Sequence, residues 1–311
     1  LPEDVVRAAT EATVRGIVVD PARDRLQALF IVCVLAIASL IVAFIGATPA
    51  RVSATELLGA TRAAGEEAFI ASHRGGGATA PENTLPAISA ALAAGFDYVE
   101  VDVALTSDRH PVLMHDATVD RTTDGHGRLS SLTLAQVQEL DAGSWFHEQY
   151  AGTRVPTFAE FLDVLEASGH RAIVELKGEW DAAAVEAVVA DVAARNLERR
   201  IAVSSFDAGT LAMAGAASSV LPRLFILRQL PEDVVRAATE ATVRGIVVDR
   251  RALLDRPEVV DELHAAGIRV VVYTLNSDTQ WDAVTALGVD GIVTDDPATL
   301  SMWQQGVAGQ Q

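Results

Sequence analysis

Hydrophobic and polar positions follow two regimes along the chain. From about residue 68 to 301, short β-branched runs alternate with alanine-rich amphipathic stretches, the pattern of parallel strands with helices packed outside them. The runs are FIASHRG (69–75), YVEVDVAL (98–105), AIVELKG (172–178), IAVSSFD (201–207), RLFILR (223–228), GIVVDR (245–250), VVVYTL (270–275) and GIVTDD (291–296). Stretches such as LPAISAALAAG, TFAEFLDVLEASG and PEVVDELHAAG supply the helices, and each ends in a Gly suited to a left-handed cap. Eight runs in about 230 residues predict an α/β fold, a (β/α)8 TIM barrel over 68–301. The gap before the third run is too long for a barrel loop and holds its own strand-like piece, PVLMHD. We read about 103–156 as an insertion after the second strand, at the carboxyl end of the barrel.

The other regime is LQALFIVCVLAIASLIVAFIGA, residues 26–47, with no charge between Arg25 and Arg51. At ~1.5 Å per residue it spans ~33 Å as a helix, enough for a hydrocarbon core of ~30 Å. Residues 21–50 are therefore expected to be a transmembrane anchor, with a cleaved signal segment as the alternative because Val52-Ser53-Ala54 offers a small-residue site. Arg23 and Arg25 favour a cytoplasmic amino-terminal flank. Either reading places the barrel on the extracytoplasmic side, tethered or secreted. Residues 51–67 are expected to be a linker and 302–311 a tail. Residues 1–20, LPEDVVRAATEATVRGIVVD, are identical to 230–249, while the residues after the two copies do not match. Repeat architectures recur and drift, so this duplicate is read as an artefact outside the fold.

Composition narrows the partners. With 24 Lys+Arg against 42 Asp+Glu the formal net charge is -18, which repels nucleic acid. An anionic small substrate meets the same repulsion, so its site must carry local positive charge. The single cysteine, Cys33, allows neither a disulfide framework nor a cysteine-ligated zinc within the chain.

Glu100 and Asp102 lie two apart in VEVDV, so the pleat sends them to one face and Val99, Val101 and Val103 to the other. With the valines toward the outer helices, the carboxylates point into the barrel, where unpaired charge is costly. Glu175 and Lys177 repeat the arrangement in AIVELKG. Three inward carboxylates suit a hard divalent cation, Mg2+ or Ca2+. His73 closes the first strand and His115 closes PVLMHD, both at carboxyl ends, and imidazole is the side chain suited to proton transfer near neutral pH. Arg74 and Lys177 add positive charge for an anion or, more plainly, pair with the carboxylates. His110, His126, His147, His170 and His264 sit in loop or helix contexts and receive no role.

His73-Arg74-Gly75, Pro81-Glu82-Asn83-Thr84, Glu100-Val101-Asp102-Val103, His115-Asp116 followed by Arg121-Thr122-Thr123, Glu175-Leu176-Lys177, Ser204-Ser205-Phe206 and Gly291-Ile292-Val293-Thr294-Asp295 resemble, in order, the glycerophosphodiester phosphodiesterase family, and more remotely the phosphatidylinositol-phospholipase-C-like phosphodiesterases. The resemblance covers 69 to about 300. It implies a barrel with an insertion after strand two, a divalent cation, and hydrolysis of glycerophosphodiesters to glycerol 3-phosphate and an alcohol. By the same resemblance Glu100, Asp102 and Glu175 are the metal ligands and His73 and His115 the acid–base pair, His73 as base and His115 as acid. Arg74 and Lys177 are phosphate contacts, Glu82 a supporting carboxylate, and Phe206 and Tyr273 line the substrate pocket. Tyr273 stands where the family commonly has Trp, which alters the alcohol side and leaves the chemistry intact. The nucleophile, water or the substrate's own glycerol hydroxyl, is left open. A lysophospholipase D-like activity on lysolipids is the alternative within enzymes, and a non-catalytic tethered ligand-binding barrel the alternative outside them.

Overall fold

The computed structural model describes residues 29–37, 39 and 54–308. The chain divides into two units, 1–50 and 51–311. In the first, residues 29–37 and 39 are helical and exposed. The rest of the expected 26–47 span and the duplicated 1–20 lie outside the described residues. Among the described residues, no helix is long and apolar enough to cross a membrane.

In the second unit the sequence alternation becomes α1 (Ala54–Leu58), β1 (Phe69–Ser72), α2 (Leu85–Ala94), β2 (Tyr98–Leu105), β3 (Pro111–Leu113), α3 (Leu134–Val137), α4 (Phe158–Ser168) and β4 (Arg171–Leu176). It continues with α5 (Ala182–Ala194), β5 (Ile201–Ser205), α6 (Ala208–Ala217), β6 (Arg223–Leu227), α7 (Val234–Glu240) and β7 (Gly245–Asp249). It closes with α8 (Arg250–Leu254), α9 (Val259–Ala265), β8 (Arg269–Tyr273), α10 (Asp278–Thr285), β9 (Gly291–Thr294) and α11 (Pro297–Ala308). Helices start where a side chain can accept a free backbone N–H: Thr157 caps α4 reciprocally with Glu160, and Asp181, Asp207 and Asp233 cap α5, α6 and α7.

Eight strands are parallel in the order β1-β9-β8-β7-β6-β5-β4-β2, and pairing of β1 with β2 closes the ring. The ninth, β3, is the first piece of the insertion and adds to β2 in antiparallel sense. The pleat sorts side chains as expected. Val99, Val101 and Val103 face outward onto Phe158, Phe161 and Leu162 of α4, while Ala71, Ile173, Ile226, Val247 and Val271 fill the interior. The insertion has its own small core of Val112, Met114, Val119, Leu129, Val137 and Val155, which fixes it beside the barrel's carboxyl end.

Three boundaries differ from expectation. Every parallel strand but β2 stops one to three residues early at its carboxyl end, because those residues leave the ladder for the mouth; His73-Arg74-Gly75 forms a 3-10 turn, and His115 lies beyond β3. The stretch 51–67, expected as a linker, carries α1, whose Leu57 and Leu58 are buried against Phe69, Tyr98 and Leu224 at the amino-terminal end of the barrel. Arg171 donates to Leu57 O at 3.1 Å, and Arg269 to Gly59 O at 2.8 and 3.0 Å and to Thr55 Oγ1 at 3.0 Å. Asp290 accepts from Arg62 N at 3.1 Å, so this segment is part of the barrel's floor. Likewise α11 runs through the expected tail to Ala308, with Gln304 donating to Ala68 O at 2.8 Å.

The floor generates a test. Leu58→Ala leaves a cavity under the barrel and should cost about 2–5 kcal/mol in denaturant unfolding of the intact chain. A loss under about 0.5 kcal/mol, the size of a neutral surface change, would return 51–67 to the status of a linker.

Candidate active site

Along each strand the inward row ends in a polar or aromatic residue at the mouth. Glu100 and Asp102 top β2, Glu175 and Lys177 top β4, and Phe206, Arg228, Asp249 and Tyr273 top β5 to β8. His73 follows β1 and Asp295 follows β9. A cavity of about 370 Å³ opens here, lined by His73, Arg74, Glu100, His115, Glu175 and Lys177 on one side and Phe206, Arg228, Asp249 and Tyr273 on the other. The sequence-predicted residues thus converge on one cavity; Asp102 is buried beneath it, and Glu82 supports its rim.

One ligand atom each from Glu100, Asp102 and Glu175 lies within 4.8 Å of the others, and all three residues are buried. Burial and then the Asp102 charge push Glu100 up to about 7 and Glu175 up to about 8. Burial acts on Asp102 too, but the Lys177 and Arg74 charges outweigh it and hold this carboxyl below its usual range. Lys177 Nζ stands 3.2 Å from Asp102 Oδ1 and 2.6 Å from Glu175 Oε1, yet neither oxygen accepts a hydrogen bond of good geometry. Three hard oxygens, two of them buried acceptors without a well-aligned donor, fit a divalent cation. Arg74 and Lys177, expected as phosphate contacts, here neutralise these carboxylates.

The turn after β1 is built to serve this cluster. Arg74 adopts a left-handed φ of 54° and its N–H donates to Glu100 Oε2 at 2.9 Å. Gly75 follows at φ 85°, where a Cβ would sit 2.9 Å from Ile88 N, so only glycine fits. Arg74 also pairs with Glu82 at 2.6 Å and Asp102 at 3.2 Å. Glu82 stays outside the carboxylate cluster and binds Arg74 and Arg121. Asn83, left-handed at φ 54°, donates to Asp102 Oδ2 at 2.8 Å and accepts from Asp102 N at 3.1 Å.

Both histidines are oriented by carboxylates. His73 Nδ1 is 2.6 Å from Asp295 Oδ1, and Asn276 donates to the other oxygen at 2.6 Å. Arg74 Nε lies 3.2 Å from His73 Nε2, which fits a ring whose proton is on Nδ1. His115 Nδ1 is 2.6 Å from Asp116 Oδ1, and Arg121 donates to both Asp116 oxygens, at 2.7 and 3.1 Å. Burial lowers His73, but the Asp295 hydrogen bond and the Glu100 charge outweigh it and leave the ring above its usual value. Burial, aided by Arg74 and Lys177, leaves His115 below. Asp295, Asp116, Arg121 and Asn83 belong to the sequence motifs, where residue order alone assigns them no role; Asn276, Arg228 and Asp249 carry no local signal at all.

A family model described as the glycerophosphoryl diester phosphodiesterase family matches residues 73–299. The glycerophosphodiester phosphodiesterase of Caldanaerobacter subterraneus is 31% identical over 239 residues, covering 75% of this chain and 96% of that protein. That of Bacillus altitudinis is 32% identical over 235 residues, 73% and 94% respectively. In three dimensions, an Oleispira antarctica phosphodiesterase in complex with its product sn-glycerol-3-phosphate matches with a TM-score of 0.70 at 28% identity, covering 76% of this chain and 96% of that one.

The carboxylate cluster predicts a cation effect that needs no substrate. Mg2+ or Ca2+ at about a hundred times its dissociation constant should stabilise the chain by about 2.7 kcal/mol, read as a rise in melting temperature. Glu100→Gln or Glu175→Gln should abolish that rise. An equal rise in these variants would place cation binding elsewhere.

Proposed function

The chain belongs to the glycerophosphoryl diester phosphodiesterase family, and from that premise we propose that it hydrolyses glycerophosphodiesters to glycerol 3-phosphate and an alcohol at the barrel mouth, in a metal-dependent reaction. The observation that carries this reading is the facing of two carboxylate-oriented histidines with three buried carboxylates around one cavity. Glu100, Asp102 and Glu175 would hold a divalent cation such as Mg2+ or Ca2+, which would supply Lewis-acid charge neutralisation for the phosphoryl group.

The chain's own residues account for the remaining steps. Arg74 and Lys177, held at the carboxylates, also stand at the cavity, where their charge serves the phosphate of an anionic substrate. His73, with Nδ1 bound to Asp295, presents Nε2 as the base that takes the nucleophile's proton. His115, anchored through Asp116 and Arg121, gives a proton to the leaving oxygen. In-line displacement requires the two on opposite sides of phosphorus. Phe206 and Tyr273, 6.3 Å apart and nearly perpendicular, wall the pocket. The charged far side of the cavity does not favour the acyl chain of a lysolipid, and the complete set of histidines and carboxylates argues against a non-catalytic barrel.

A general base must be unprotonated to act and a general acid protonated, so the base sets the acidic limb of the kcat/KM profile and the acid the alkaline limb. His73→Ala should lose the acidic limb and His115→Ala the alkaline one, each with turnover down about 10²–10⁴-fold. Full activity after exhaustive chelation, or a histidine variant within about tenfold of the unaltered chain, would sink the mechanism; exchanged limbs would exchange the two roles.

We further propose that residues 26–47 tether the barrel to a membrane on its extracytoplasmic side, supported by an uncharged run from Leu26 to Ala47 behind Arg23 and Arg25. Fractionation, protease protection and the mass of the amino terminus test this. A secreted product beginning shortly after Ala54 would identify a cleaved signal, and a cytoplasmic product would reject both.

A further inference from the structure

The mouth is divided. The metal ligands, the histidines and the two carboxylate-bound cations belong to β1, β2, β4 and the insertion, whereas four consecutive strands, β5 to β8, contribute Phe206, Arg228, Asp249 and Tyr273. Arg74 and Lys177 are each held by two carboxylates. Among the described residues, Arg228 has no ion pair and its guanidinium no hydrogen bond; it lies over the face of Phe206, 4.7 Å from the ring centroid. Lys177 Nζ lies 5.6 Å from the same ring, so the phosphate-side cation and Arg228 share one aromatic platform. Beside Arg228, at the end of the neighbouring strand, Asp249 Oδ1 accepts from Arg251 N at 2.8 Å as the cap of α8, and its other oxygen carries no hydrogen bond among the described residues. Asp249 and Tyr273 are register partners at the ends of β7 and β8. The phenol feels both charges: burial, then Asp249, push Tyr273 up to about 12 while Arg228 pulls the other way.

We propose that Arg228 and Asp249 form a recognition subsite for diesters whose alcohol carries both a carboxylate and an ammonium group, as serine does. The inference rests on diester hydrolysis at this same mouth. The glycerol arm is common to every such substrate, so discrimination falls on the other arm. A guanidinium with free donors takes a carboxylate by its planar fork, and a carboxylate with a free oxygen takes an ammonium. Two opposite charges at neighbouring strand ends beside one pocket match a zwitterion better than a neutral or singly charged alcohol.

The test compares kcat/KM of the full chain with Mg2+ on glycerophosphoserine, glycerophosphoethanolamine and glycerophosphoglycerol, so that any loss of folded protein cancels in the ratios. The unaltered chain should favour the serine diester. Arg228→Gln should lower the serine-to-ethanolamine ratio roughly tenfold, the size of one charge-assisted hydrogen bond, and Arg228→Lys should restore part of it. Asp249→Asn, which keeps the α8 cap, should lower the serine-to-glycerol ratio to a similar degree. Ratios unmoved by either variant would overturn the subsite, as would a preference of the unaltered chain for the glycerol diester. A uniform loss on all three diesters would likewise overturn it, since it would make Arg228 a general phosphate contact. Absence of turnover on any diester would instead overturn the activity beneath it.

Discussion

Three carboxylates held within 4.8 Å of one another inside a barrel are the constraint around which the rest of this molecule is arranged. Buried charges of one sign repel in a medium that screens them poorly, so such a cluster persists only if positive charge or donors surround it. The chain supplies them from the nearest backbone and side chains: the Arg74 N–H to Glu100, Asn83 to Asp102, and the Lys177 ammonium between Asp102 and Glu175. Local backbone strain follows from that need. Arg74 and Asn83 both occupy left-handed conformations that non-glycine residues seldom adopt, and each thereby reaches a carboxylate.

That arrangement also explains how an acidic protein handles an anionic substrate. The surplus of acidic residues is spread over the whole chain, whereas the mouth gathers Arg74, Lys177 and Arg228 around one cavity. Two of these cations are committed to the carboxylates and one is not.

The barrel gives this chemistry its rigidity. The functional side chains of the barrel stand at or just past the ends of paired strands, and α1 seals the opposite end with Leu57 and Leu58. The insertion adds what the barrel lacks, a second histidine. Its separate core sets His115 beside the mouth, and Arg121 ties it back through Glu82, which also holds Arg74. The two histidines thus share a frame although one belongs to the barrel and the other to the insertion.

Much of this was legible from residue order alone. A pleat repeats every two residues within one strand, so the inward pairing of Glu100 with Asp102 and of Glu175 with Lys177 needed no knowledge of neighbours. The strand and helix alternation and the excess of sequence after β2 were equally local, and the motifs carried the family. What only the tertiary structure decided is who meets whom. Asp295 stands 222 positions from His73 and reaches it because β1 pairs with both β2 and β9, which closes the ring. Phe206, Arg228, Asp249 and Tyr273 come from four strands and face one another only after those strands take their register. The floor built by 54–62 looked like a linker because its partners, Tyr98, Arg171, Arg269 and Asp290, lie far along the chain. Strand order and register are set by backbone hydrogen bonds that nearly every residue type makes alike, so they leave little trace in any one segment, whereas the pleat is written into each strand by itself.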